Sequence, residues 1–197
     1  MAMEIYLKTD AVEEAVSALE MVAEQSARVQ EDPYRWKWVI LATHNALQGF
    51  MVLALRGSNG LLALRDEVAG AWLKAHREGR SPPQERLDSF LNLYKKIKSD
   101  RLLFYVHSKK FSPQGNQDRS VRKLNSLRND FNHFLPRLWL IDLGGLPEIC
   151  LDCLDAIQFL GWQCGNIFWH NETHQERAQK AFAAAREALE KLRQASV

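Results

Sequence analysis

The sequence is short of the residues that punctuate β-proteins. Ten glycines and six prolines in 197 positions are too few for the dense turns of an all-β sandwich or barrel. Cysteine is scarcer still: three thiols, an odd number, do not make a disulfide framework and suit a reducing, cytoplasmic setting. Net charge is nearly absent, and a formal +2 says nothing by itself about partners. No uninterrupted apolar run is long enough for a membrane. The best candidate, residues 36–55, is broken by Lys37, His44, Asn45 and Gln48 and reads as a buried core helix. The first twenty residues are acidic and amphipathic, unlike a signal peptide. A glycine-rich phosphate loop, a dinucleotide fingerprint and a nucleophile elbow are all missing, and no cofactor is expected.

What is present is helical. The chain is 46% apolar and 25% charged, enough for one domain over residues 1–197 with its own core. Residues 10–30 place Val12, Val16, Leu19 and Val22 on one face, with Thr9 or Asp10 as the cap. Asp32-Pro33 opens a second helix with a stripe of Trp36, Ile40, Leu47, Met51 and Ala54. Val39, Phe50 and Leu53 widen that stripe, so this helix belongs at a bundle centre. A helix over 61–76 follows. Ser81-Pro82-Pro83-Gln84 then reads as the start of a helix carrying Leu87, Phe90, Leu91, Tyr94 and Ile97. The run 102–106 fits helix or strand, and 107–116 reads as a loop. A helix over 118–134 should stop before Pro136. Pro147 opens a long apolar helix to about residue 168, and Thr173 to Glu176 fits a capping box for the last helix. The expected fold class is all-α, a bundle of about six helices.

Charge is unevenly placed. Residues 95–128 carry a net +8, leaving −6 for the remainder. Such a basic sector is either a solvated surface or a footprint for a phosphate backbone. Its members Lys109, Lys110, Arg119, Arg122 and Lys123 are the candidates for holding nucleic acid.

Beside that sector lies Leu127-Arg128-Asn129-Asp130-Phe131-Asn132-His133-Phe134. On a helix wheel with Arg128 at zero, Asn132 lies at about 40°, Asn129 at about 100° and His133 at about 140°. Val121, Leu124, Leu127, Phe131, Phe134 and Leu135 gather near about 300°, the core direction. A guanidinium, two amides and an imidazole therefore fan over one face. The fan is wide. Arg128 and His133 converge on one ligand only through the length of the arginine, a distorted helix end or a second subunit.

Arg128-Asn129 followed by Asp130, Phe131, Asn132 and His133 resembles the Arg-x4-6-His motif of the HEPN superfamily, in which a polar residue follows the arginine. A second match, Arg101 to His107, has an apolar follower and interior and resembles the pattern less. The resemblance implies an up-and-down helical bundle, usually a homodimer. Many such proteins are metal-independent endoribonucleases of toxin, defence or RNA-processing systems, and others are silent nucleotide-binding or interaction modules. It implies RNA as the substrate and an antitoxin or other regulatory protein as a possible partner. Arg128 would stabilise charge on the phosphoryl group. His133 would move protons near neutrality, and Asn129 and Asn132 would position them. RNA cleavage of this kind uses the ribose 2′-hydroxyl as nucleophile.

Other constellations are weaker. Cys150 and Cys153, with Cys164 eleven residues on, have no second pair to make a zinc site; His170 or His174 would have to complete it, and the three read instead as core residues. His170 and His174 flank a helix start, with Glu172 displaced from the metalloprotease pattern. His44 lies on the Ile40–Leu47 row and reads as a hydrogen-bonded core histidine. No metal site is expected.

Overall fold

The computed structural model describes residues 6–133, 136 and 138–195. Among the described residues, seven α-helices make up the architecture: α1 Ala11–Ala27, α2 Arg35–Leu55, α3 Asp66–Arg77, α4 Phe90–Ile97, α5 Gln117–Asn132, α6 Leu146–Trp162 and α7 Glu172–Ala195. Two 3-10 turns, Leu61–Ala63 and Asp100–Leu102, join them. No strand occurs among the described residues; a single antiparallel bridge links Leu64 and Leu87. The fold is an all-α bundle.

Helix α1 starts where Asp10 caps it, its Oδ1 accepting from the amides of Val12 (2.8 Å) and Glu13 (2.9 Å). The short connection to α2 lays the two helices together. They pack closely because Gly49 faces Ala15: a Cβ at position 49 would stand 2.8 Å from the Ala15 Cβ. Helix α2 then runs through the centre, against α1, α4, α5 and α6. Val39, Ile40, Leu47, Phe50, Met51 and Ala54 are fully buried. It is long and apolar enough to cross a bilayer, yet its apolar side chains serve the core, which explains the near-continuous apolar circumference. Helix α7 closes on α1 through Arg177, whose guanidinium donates to Glu13 and Glu20 in four bonds of 2.8–2.9 Å.

Several expected boundaries move, each for a local reason. Ser81-Pro82-Pro83-Gln84 does not open a helix: residues 81–89 run outside any helix, and α4 begins only at Phe90 with Ser89 as cap. Extended pairing wins there, as the Arg65 amide donates to the Arg86 carbonyl (3.1 Å) and the Asp88 amide to the Ala63 carbonyl (3.0 Å). The same pairing splits the helix expected over 61–76 into a 3-10 turn and α3. The run 102–106 is neither helix nor strand beyond its 3-10 start. Helix α6 stops at Trp162, not near 168, where Gly165 adopts φ +80°. Beyond it, Asn166 is buried and its amide donates to the carbonyls of Ala54 (3.2 Å) and Leu102 (2.8 Å). At α7 the cap is Asn171, which accepts from the Thr173 amide (2.9 Å), in place of the expected capping box. Phe134 and Leu135, expected on the core face of α5, lie outside the described residues.

Candidate functional site: two clefts along helix α5

Helix α5 is fixed by its apolar side. Val121, Leu124 and Leu127 are buried against α2 and α6, as the wheel predicts. Polar contacts add direction: Ser120 bonds Asp152 of α6, and Gln117 donates to Asp155 (3.3 Å), which also pairs with Arg186 of α7. The opposite side of α5, with Asn129 and Asn132, is exposed.

The helix ends at Asn132. His133 leaves the helical conformation (φ −125°, ψ 40°), although its amide still donates to the Asn129 carbonyl at 2.8 Å. This distorted end does not bring His133 into the cleft that Arg128 lines. The two residues open onto different clefts. His133 borders a cleft of about 640 Å³ with Tyr34, Trp36, Lys37, Phe131 and Trp139. Arg128 borders a cleft of about 360 Å³ between α2, α4 and α5, with His44, Gln48, Asn125 and Asn129. Of the four expected site residues, the structure joins only Arg128 and Asn129 directly: Arg128 Nη1 donates to Asn129 Oδ1 at 3.0 Å. Asn132 and His133 are exposed, and neither lines the Arg128 cleft.

His44 is the expected hydrogen-bonded core histidine, though through one ring nitrogen alone. Its ring is 2% exposed, stacks on Phe90 at 3.9 Å, and bonds through Nε2 to Asn125 Oδ1 at 3.2 Å. Nδ1 is buried with no hydrogen-bond partner. Burial pushes its pKa down to about 4, with the Arg128 charge nearby acting in the same direction. The imidazole is therefore neutral at pH 7. Sequence reasoning missed the His44–Asn125 pair, yet half of the signal was legible. Asn125 lies about 60° from Arg128 on the wheel, inside the arc spanned by Arg128 and Asn129. The partner on α2 was not, because pairing across 81 residues depends on the tertiary fold.

The basic sector is thinner in space than in sequence. Lys96 is buried on Asp88 (2.7 Å), while Lys98 pairs with Asp118 (2.7 Å) and Arg101 with Asp66 (2.6 Å). Lys110, a candidate for holding nucleic acid, pairs with Asp100 (3.0 Å). Lys109, Arg119, Arg122 and Lys123 are exposed. Arg122 sits about 120° round the wheel from Arg128, between Asn129 and His133, and so extends their strip.

The three cysteines are buried and unpaired. Burial pushes the Cys150 thiol up to about 12 and raises Cys153 and Cys164, which makes them poor nucleophiles and ligands. Among the described residues, no group of three or more His, Cys, Asp or Glu is assembled that could hold a metal ion. His174 joins Glu13 (3.0 Å), beside the Arg177 clamp. Compared with protein-family models, with curated proteins and with solved structures, the chain matches none.

Proposed function

We propose that this chain is a metal-independent endoribonuclease of the HEPN type, acting as a homodimer whose paired α5 helices form one composite site. The observation that carries the reading is the exposed polar face of α5, along which Arg128 and His133 each border a cleft of their own. Within one chain they do not meet. A two-fold axis beside α5 presents each His133 to the partner's α5 face, because an isologous interface exchanges the same contacts in both directions. The apolar lining of the His133 cleft, with Tyr34, Trp36, Phe131, Trp139 and Ile141, supports such pairing, and Tyr34 is largely exposed, as a side chain covered by a second copy would be.

The reaction then follows from the residue types. One His133 accepts the proton of a ribose 2′-hydroxyl as its oxygen attacks the adjacent phosphorus. Arg128, held by Asn129, donates to the phosphoryl oxygens as negative charge builds on them. The bond from phosphorus to the 5′-oxygen breaks, and the second His133 protonates that oxygen. The products are a 2′,3′-cyclic phosphate and a 5′-hydroxyl. Asn132 orients the substrate, and Arg122, Arg119, Lys123 and Lys109 hold the flanking backbone electrostatically. A toxin or defence role, with an antitoxin or other protein as regulator, is the setting in which such an activity needs control.

The test is cleavage of a labelled mixed-sequence RNA with EDTA present, using wild type, Arg128→Ala and His133→Ala purified in parallel. The expected result is cleavage by wild type alone, leaving cyclic-phosphate ends, with each variant at least ~100-fold slower. Equal cleavage by wild type and His133→Ala overturns the reading. Absence of cleavage by all three favours a silent binding module on the same fold.

A further inference from the structure

We propose that residues 80–86, the strap between α3 and α4, form a polyproline II ligand for the aromatic-lined groove of a partner protein. The inference is independent of the RNA reading and of helix α5.

The strap contains Ser81-Pro82-Pro83-Gln84, whose capping pattern opens no helix. From Arg80 to Arg86 the chain runs without a turn or bend. Each proline ring holds φ near about −65°. The residues that precede the two rings, Ser81 and Pro82, are driven to extended geometry by the ring that follows them. Extended chain in a folded protein usually pairs with a neighbour, and this stretch does not. No atom of Ser81, Pro82, Pro83, Gln84 or Glu85 takes part in a hydrogen bond among the described residues. Extended, unpaired backbone carrying two prolines is the polyproline II state, whose peptide groups are left to solvent or to a partner.

The ends, by contrast, are fixed. Gly79 turns the chain with φ +62°, and the Arg80 amide then donates to the Ala75 carbonyl (2.9 Å). At the far end the Arg86 carbonyl accepts from the Arg65 amide (3.1 Å), Leu87 bridges Leu64, and the Asp88 amide donates to the Ala63 carbonyl (3.0 Å). Between these anchors Ser81, Pro82, Gln84 and Glu85 are exposed, and Pro83 is half-buried. One ring seats the strap on the molecule and the other faces out. A segment held at both ends loses less conformational entropy on binding than a free chain does. That low ordering cost is what suits polyproline II segments to grooves walled by Trp and Tyr rings.

Charge defines the rest of the partner. Arg80 is engaged by Glu78. Arg86 is exposed and has no ion pair among the described residues. It follows Pro82 by four residues, about 12 Å along a polyproline II axis that rises about 3.1 Å per residue. The matching groove therefore has an aromatic slot for Pro82 and, about 12 Å away, a carboxylate for the planar fork of Arg86. Glu85 stands beside Arg86, so residues 81–86 carry no net charge and offer no footprint to a phosphate backbone. The chemistry thus favours an acidic-rimmed protein groove over nucleic acid.

Calorimetric titration of the full chain tests this. The probes are purified SH3 and WW domains, taken as a panel that differs in the placement of acidic residues at the groove rim. The expected result is that at least one acidic-rimmed domain binds with a Kd of about 100 μM or tighter. Pro82→Ala and Arg86→Glu should each weaken that binding at least about ten-fold. Thermal melts of both variants should match wild type, because both side chains are exposed. Lys191→Ala, on α7, should leave binding unchanged. Absence of binding by every domain of the panel overturns the inference, and so does binding that survives either substitution. RNA binding should be the same for wild type and Pro82→Ala; its loss in the variant assigns the strap to nucleic acid instead and overturns the protein reading.

Discussion

Lys96→Met should unfold more readily than wild type by about 3–5 kcal/mol, because it leaves a buried carboxylate uncompensated. Lys96 is 5% exposed. Its ammonium has three acceptors for its three protons: the Leu64 carbonyl (2.6 Å), Asp88 (2.7 Å) and Asp66 (3.1 Å). Those contacts hold together the extended segment before α3, the residue before the α4 cap and α4 itself. Methionine matches the stem and removes the charge, so Asp88 keeps only the Ser89 amide and the Asn92 side chain. Urea unfolding of the two proteins measures the difference. Lys110→Met is the control: its partner Asp100 is largely exposed, and such pairs contribute about 1 kcal/mol or less. Equal effects of the two substitutions would contradict the role given to Lys96.

Acid should destabilise the protein before the Lys96-bound carboxylates Asp66 and Asp88 protonate, and His44 is the cause. The folded pKa is pushed down to about 4 from the ordinary 6.5, so between those values the unfolded chain binds a proton that the folded chain refuses. Stability is therefore complete above about pH 6.5 and falls as pH drops towards about 4, by on the order of 3 kcal/mol for this group. The charges facing His44 are Arg128 from α5 and Asp88 before α4. Asp88 and Asp66 titrate lower: Arg101 and then Lys96 hold the Asp66 carboxyl below the usual 3.8, and for Asp88, against its burial, Lys96, Asn92 and the Ser89 amide do the same. Their contributions are present above that value and lost beneath it, in a separate window. Urea midpoints measured from pH 7 to 4.5 for wild type and His44→Phe isolate the effect. The wild-type midpoint should fall more steeply than that of the variant, which retains the ring stack on Phe90. Parallel curves would assign the acid sensitivity elsewhere.

Much of the fold was legible because helices α1, α2, α5, α6 and α7 carry their own signals: a 3.6-residue apolar stripe, and for some a cap or a proline at the start. Ser81-Pro82-Pro83-Gln84 shows where local signals mislead. Its capping pattern is sound, but the backbone pairing of residues 63–65 with 86–88 outweighs it, and no local reading contains that partner. The site divides in the same way. The wheel placed Arg128, Asn129 and Asn132 on the open side of α5, and Arg128 at its seam. It could not place His133, since the helix ends one residue earlier and the wheel no longer applies. Nor could it show that His44, on a different helix, reaches Asn125. The basic run misled because sequence counts charges without pairing them, and Lys96, Lys98, Arg101 and Lys110 each have an acid nearby.

The central claim is that two α5 helices, one from each copy, make a single catalytic site. Mixing subunits tests it most directly. Wild type is equilibrated at equal concentration with an inactive Arg128→Ala/His133→Ala chain, and RNA cleavage is compared with wild type alone at the same total concentration. If each site needs both copies intact, random pairing leaves about one quarter of the dimers active, and the rate falls to about a quarter. A rate of about half, set only by the share of wild-type chains, would show that each chain cuts RNA by itself and would contradict the account.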